Sequence, residues 1–269
     1  MYGKMVYFMN YDGKIYCYNC DTHVWNELIK CPLKYSAVVA IAISNLITAV
    51  GGCKGNYEVP VNTLLSLSDG DWKEIFPPMS TKRYDAAAVA TKQDLIVAGG
   101  EDESGDLNVV EVMNIQTLVW STVASLPYPY SRSSATICGD QLYMLGGWTM
   151  GEWEKLVLTC PLSKLLQSQS NETSSVWHNS MDLPVWGSTC AAINEDVLAI
   201  GGVNDGDETT TTTLTYNQST NSWIPANEKF KVQVPRHHCL VAVIGNFLLI
   251  VGGYSNSFGD FAEEIEFKN

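Results

Sequence analysis

A Gly-Gly doublet recurs five times in this chain, at residues 51–52, 99–100, 146–147, 201–202 and 252–253. Each closes an apolar, strand-like run: NLITAV, DLIVA, QLYML, DVLAI and FLLIV. The doublets are spaced by 47 to 55 residues, room for one four-stranded antiparallel sheet with its turns. Self-similarity at such a period marks a fold made by repeating one supersecondary unit. Glycine tolerates positive φ and lets backbones pass closely, so a doublet at a strand end permits a sharp exit where neighbouring sheets crowd.

Two further markers keep phase with the doublet. A Trp follows the second Gly by 20 residues at Trp72 and Trp120, by 21 at Trp223 and by 30 at Trp177, the last interval carrying an insertion. The pattern Asn-x-x-Thr-x-x-Trp occurs three times, as Asn19/Thr22/Trp25, Asn114/Thr117/Trp120 and Asn217/Thr220/Trp223. Asn and Thr side chains bond nearby backbone and close a turn between two strands. The Trp that opens the next strand can bury roughly 150–250 Å² between sheets. Before each doublet-bearing strand lies a run of small or β-branched residues, such as SAVVAIAI, DAAAVA and TCAAI, which suits the innermost strand of converging sheets. The repeat is therefore inner strand, Gly-Gly strand, third strand and Trp strand; in the third unit these are 85–90, 94–98, 109–114 and 119–123.

The doublet, the Trp downstream and the period near fifty resemble the Kelch repeat family over essentially the whole chain. The resemblance implies an all-β, Kelch-type β-propeller, a single domain over 1–269. Four units are complete, at roughly 35–82, 83–130, 131–185 and 186–234. Residues 4–30 lack an inner strand and residues 235–269 lack a Trp strand. Three strands at each end exceed one blade of four, so six blades with incomplete terminal blades are expected, five being the alternative. Kelch propellers usually close by sharing a blade between the termini, and both missing pieces would lie upstream of Met1. The expectation is a fragment or shortened gene product with possible upstream domains.

Antiparallel order places the loops after the doublets and the segments before the inner strands on one surface, the one on which related Kelch adaptors generally hold substrates. Before the inner strands stand Tyr35, Arg83-Tyr84, Arg132-Ser133, Trp186 and Arg236-His237, with an Arg at nearly the same place in three units. Arg offers a bidentate fork and aromatics offer rigid contact area, the composition of binding hot spots; the competing reading is that these arginines bond turn carbonyls of the next blade. Trp148, Trp153 and Tyr254 lie in loops after doublets, and the two Trp fall outside the repeat's structural position. These eleven residues are the expected partner-binding set. The insertion at 162–175 joins the third and Trp strands on the opposite face, as a loop with one helical turn.

The formal net charge of −13 repels phosphate backbones and anionic membranes, and favours a basic or Arg-bearing protein or peptide partner. The start MYGKMVYFMN lacks the apolar core of a signal peptide, and no run of 18 apolar residues exists, so a cytoplasmic location is expected. The eight cysteines sit mostly in apolar surroundings and read as reduced core residues. Cys17 and Cys20 lack the further ligands of a zinc site, and the acidic runs at 101–106 and 204–208 do not match a calcium loop. Four histidines are present, and His237 and His238, being adjacent, would face opposite ways in a strand. No catalytic constellation, metal or cofactor is expected. The reading is a protein-interaction module rather than an enzyme; a small-molecule or carbohydrate-binding propeller is the alternative.

Overall fold

A computed structural model describes residues 5–10, 13–34, 37–41, 46–54, 59–255 and 265–268. The chain divides into two compact units, Met1–Ser131 with Ser168–Thr173, and Arg132–Gln167 with Ser174–Asn269.

The first unit holds three antiparallel sheets in chain order. The first contains Met5–Met9, Ile15–Asn19 and Val24–Glu27. The second contains Ala37–Ile41, Leu46–Val50, Leu64–Ser68 and Asp71–Lys73. The third contains Ala87–Ala90, Asp94–Ala98, Val110–Asn114 and Val119–Thr122. The second unit holds Ser134–Cys138, Gln141–Thr149, Glu152–Pro161 and His178–Asn179 as one sheet. Its next sheet is Thr189–Ile193, Asp196–Ile200, Thr213–Asn217 and Ser222–Pro225. Its last is Leu240–Ile244, Phe247–Val251 and Ile265–Lys268. Every pairing in these sheets is antiparallel between strands that follow one another around the repeat. By its doublets the chain has five repeats; among the described residues it has six such sheets, the first and last three-stranded.

The Gly-Gly strands are largely apolar because both their faces are covered: Leu95, Ile96, Val97 and Ala98 are all buried. Successive sheets share a core within each unit. Val50 and Leu64 of the second sheet meet Leu95, Val97 and Met113 of the third. In the second unit Tyr143, Leu145 and Val157 pack on Val197, Ala199 and Leu214, and Leu198 and Ile200 pack on Leu248 and Ile250.

The turn pattern works as its chemistry requires. Asn19 Oδ1 accepts the N–H groups of Asp21 and Thr22, Asn114 Oδ1 those of Gln116 and Thr117, and Asn217 Oδ1 those of Ser219 and Thr220. The next residue, His23, Leu118 or Asn221, takes positive φ and delivers the chain into the Trp strand. The Trp then ties one sheet to the one before it. The indole N–H of Trp72 donates to the Ile29 carbonyl, that of Trp120 to Pro77 and that of Trp223 to Met181.

The insertion departs from expectation by forming two helical turns, Leu162–Leu165 and Thr173–Val176, rather than one. Leu165 is fully buried, which supplies the reason for the first. None of the eight cysteines is in a disulfide, and six are buried; burial pushes the thiols of Cys160 and Cys190 up to about 12, well away from reactive thiolates. Among the described residues no helix is long and apolar enough to cross a membrane.

Candidate partner-binding site

The segments before the inner strands are registered by the doublets. The second glycine donates its N–H to a carbonyl of the segment that opens the following sheet: Gly52 to Arg83, Gly100 to Tyr130 and Gly202 to Arg236. A Cβ on the preceding glycine, Gly99 or Gly201, would run into the same carbonyl oxygen. One residue on, each segment pairs with the loop after its own doublet, as Tyr84 with Glu101, Trp186 with Val203 and His237 with Tyr254. Two residues on, the backbone takes positive φ, at Asp85, Arg132, Gly187 and His238, and the inner strand starts two residues later. The two kinds of loop therefore do lie side by side within each repeat.

This register corrects the expected Arg pattern. Arg83 and Arg236 are equivalent, but Arg132 stands two residues further on, where Asp85 and His238 stand. The consequences differ sharply. Arg83 and Arg236 are fully buried. Arg83 donates to the Gly99 and Val109 carbonyls and to the Glu111 carboxylate; Arg236 donates to the Val234 and Gly252 carbonyls. Both therefore hold turn carbonyls, and neither side chain reaches a surface where a partner could touch it. Arg132 is exposed, with its guanidinium carbon 5.9 Å from the Trp148 ring centroid.

Tyr35 lies outside the described residues. Tyr84, in the first unit, is half-buried, and burial, with Glu101 beside it, drives its hydroxyl pKa up. Ser133 in the second unit is half-buried, and its hydroxyl has no hydrogen-bond partner among the described residues.

The remaining expected residues come together in the second unit. The segment 148–153, expected as a loop, continues both strands as a hairpin in which Trp148 faces Trp153 across the pair. Their rings meet edge to face with centroids 5.2 Å apart. Trp153 stacks on Trp186 at 5.2 Å and an interplanar angle of 12°. Trp186 meets His237 at 5.6 Å, and His237 meets Tyr254 at 5.6 Å. A continuous aromatic ladder thus runs from Arg132 through Trp148, Trp153, Trp186 and His237 to Tyr254.

His238 was absent from the expected set and is part of this ladder. Its ring lies 4.7 Å from Trp153 and 5.1 Å from His237. The alternation argument failed because His238 has φ 50° and lies before the strand, where adjacent side chains need not diverge. Its close partner is Gly187, where a Cβ would sit 3.2 Å from His238 Nε2. The glycine leaves space for the ring.

Burial pushes the His238 pKa down to about 4, helped by His237 and Arg132 nearby. Burial also lowers that of His237, against a backbone hydrogen bond with Tyr254. Both rings are neutral at pH 7. His237 Nδ1 and His238 Nε2 are buried without a hydrogen-bond partner among the described residues. The three ladder tryptophans contrast with Trp72, Trp120 and Trp223, whose indole N–H groups are spent on carbonyls. Among the described residues no hydrogen bond engages those of Trp148, Trp153 and Trp186.

Repeat, sheets and register define the class: this chain is a Kelch-repeat β-propeller. The Kelch motif model matches residues 82–127. Kelch-like protein terF of Aspergillus terreus is 25% identical over 90% of this chain and 56% of that protein. Kelch-like protein 41b of Danio rerio is 24% identical over 64% of this chain and 27% of its own length. The chain thus spans roughly a quarter to just over half of these relatives. A solved structure titled "Structure of YjhT" covers 100% of this chain and 95% of its own, with TM-score 0.78 at 13% identity, a likeness of fold.

Proposed function

We propose that this propeller, acting as one domain, is a non-catalytic recognition module that holds a partner protein through the aromatic ladder of its second unit. The observation that carries this reading is the set of half-buried Trp148, Trp153 and Trp186 with unspent indole N–H groups. Rigid rings with an open polar edge supply contact area and directed hydrogen bonds at little entropic cost, as at binding hot spots. Exposed Arg132 and Tyr254 extend the surface at its two ends. The resemblance to Kelch-like proteins supports a binding role. A small-molecule or carbohydrate site would need carboxylates converging on the rings; Asp205 is instead engaged by Lys155.

The test is affinity capture by the full chain, comparing wild type with Trp153→Ala and Trp186→Ala. Specific partners should be lost from both variants while circular dichroism stays that of the wild type. Capture unchanged in both folded variants would remove the ladder from the interface. Arg83 and Arg236 are unsuitable for this purpose, because their removal acts on the core.

A further inference from the structure

We infer that the occupant of the ladder is a basic segment of a partner protein, one that lays Arg or Lys side chains against the Trp faces. The inference rests on the proposed partner-binding role and adds the chemistry of the partner. Three observations converge on it.

The first is the ring surface itself. Aromatic faces carry negative electrostatic potential and attract cations held over them. The ladder already uses this attraction once, where Arg132 stands over Trp148. Edge-to-face and stacked pairs, Trp148 on Trp153 and Trp153 on Trp186, fix ring faces in different directions on one rigid support.

The second is the charge around the rings. His237 and His238 are held neutral, and the Lys155 ammonium is neutralised by Asp205. Glu152 and Glu154 flank Trp153 in its strand. Asp207 and Glu208 are exposed in the loop whose Val203 pairs with Trp186. Carboxylates one residue away from Trp153 act on its surroundings with little screening, since the Debye length is about 8–10 Å. Against them the ladder sets Arg132 as its one cation, on a chain of net charge −13. A basic segment is drawn to this neighbourhood and an acidic one repelled.

The third is hydrogen bonding. Among the described residues the ladder's indole N–H groups have no acceptors, and a peptide laid across the rings supplies backbone carbonyls to them.

The experiment uses the full chain and four twelve-residue peptides that differ only in alternating Arg, Lys, Gln or Glu, plus a neutral proline-rich peptide. Binding is read by tryptophan fluorescence and calorimetry at low and physiological salt. The Arg peptide should bind at least about tenfold tighter than the Gln peptide, with Lys between them, and weaken as salt rises. Trp153→Ala should weaken Arg-peptide binding about tenfold or more. Glu152→Gln with Glu154→Gln, both at solvent-accessible sites, should reduce the salt dependence without disturbing the fold. Equal or tighter binding of the Gln, Glu or proline-rich peptide would overturn the inference. So would no binding of any peptide, or Arg-peptide binding that ignores both the Trp153 change and the paired Glu changes. Those results leave the partner-binding role standing if capture still depends on Trp153 and Trp186, which separates the two failures.

Discussion

The Arg83 guanidinium closes on the Glu111 carboxylate with neither side chain exposed to solvent. Glu111 also accepts the backbone N–H groups of Ser80 and Thr81, so one buried carboxylate organises the segment before the inner strand and the guanidinium that follows it. Removing one member of such a pair strands a charge in the core, which costs about 3–5 kcal/mol. Arg83→Met and Glu111→Leu should each destabilise by about that amount in urea unfolding. The double variant should cost clearly less than the sum of the two, since no lone charge remains. Additive losses would mean that the pair is not coupled.

Leu118 is at the left-handed position of the Asn-x-x-Thr turn, with φ 59°, and is exposed. The equivalent residue of a later repeat is Asn221. Left-handed backbone costs a branched apolar residue roughly 1 kcal/mol, and Asn relieves much of it. Leu118→Asn should therefore raise stability by about 0.5–1 kcal/mol. Thermal unfolding measures this directly, and a lower midpoint would contradict the assignment of strain.

Trp120 should be replaceable by Phe only at a cost. The ring packs against the core shared by the second and third sheets, and its N–H is the donor to the Pro77 carbonyl at 2.9 Å. Loss of that bond leaves the carbonyl without its partner, and Phe fills less volume, so about 1–3 kcal/mol should be lost. Trp148→Phe breaks no hydrogen bond of the indole among the described residues and changes a half-buried ring, so it should change stability by less than about 1 kcal/mol. Similar losses at the two positions would remove the distinction between sheet-tying and ladder tryptophans.

The strand order was legible because glycine, Asn and Trp each do one physical job at a fixed phase. Gly99 and Gly201 are required by a carbonyl that a Cβ would strike, and the three Asn turns form the bonds their side chains allow. The site was legible only in part. Trp148 and Trp153 stand out by lying off the structural Trp phase, Trp186 by standing before an inner strand, and Tyr254 by following a doublet. The arginines mislead because the inner strand expected from residue 85 begins only at Ala87, while the next begins at Ser134, which hides the offset between Arg83 and Arg132. The second-glycine hydrogen bonds show that Arg132 is two residues out of step with Arg83 and Arg236. His238 was hidden by the same cause: alternation holds inside a strand, and a positive φ just before the strand cancels it. Gly187, at the same phase, was the one sequence signal of that conformation.

His238 gives the fold a calculable response to acid. Its ring faces His237, Arg132 and the Trp153 and Trp186 rings. Burial among them holds its pKa down to about 4, against about 6.5 in an unfolded chain. Between those values the unfolded chain binds the extra proton and the folded one does not. Stability from this residue is therefore complete above about pH 6.5 and is lost progressively as pH falls toward 4, by on the order of 2 kcal/mol. His238→Asn keeps a residue suited to positive φ and removes the titration. The variant loses some ring packing at every pH, so its absolute stability is lower throughout. The decisive quantity is the slope of urea-unfolding free energy against pH from 6.5 to 4, which should be shallower in the variant than in the wild type. Parallel curves would show that the His238 ring charges as easily in the folded protein as in the unfolded chain.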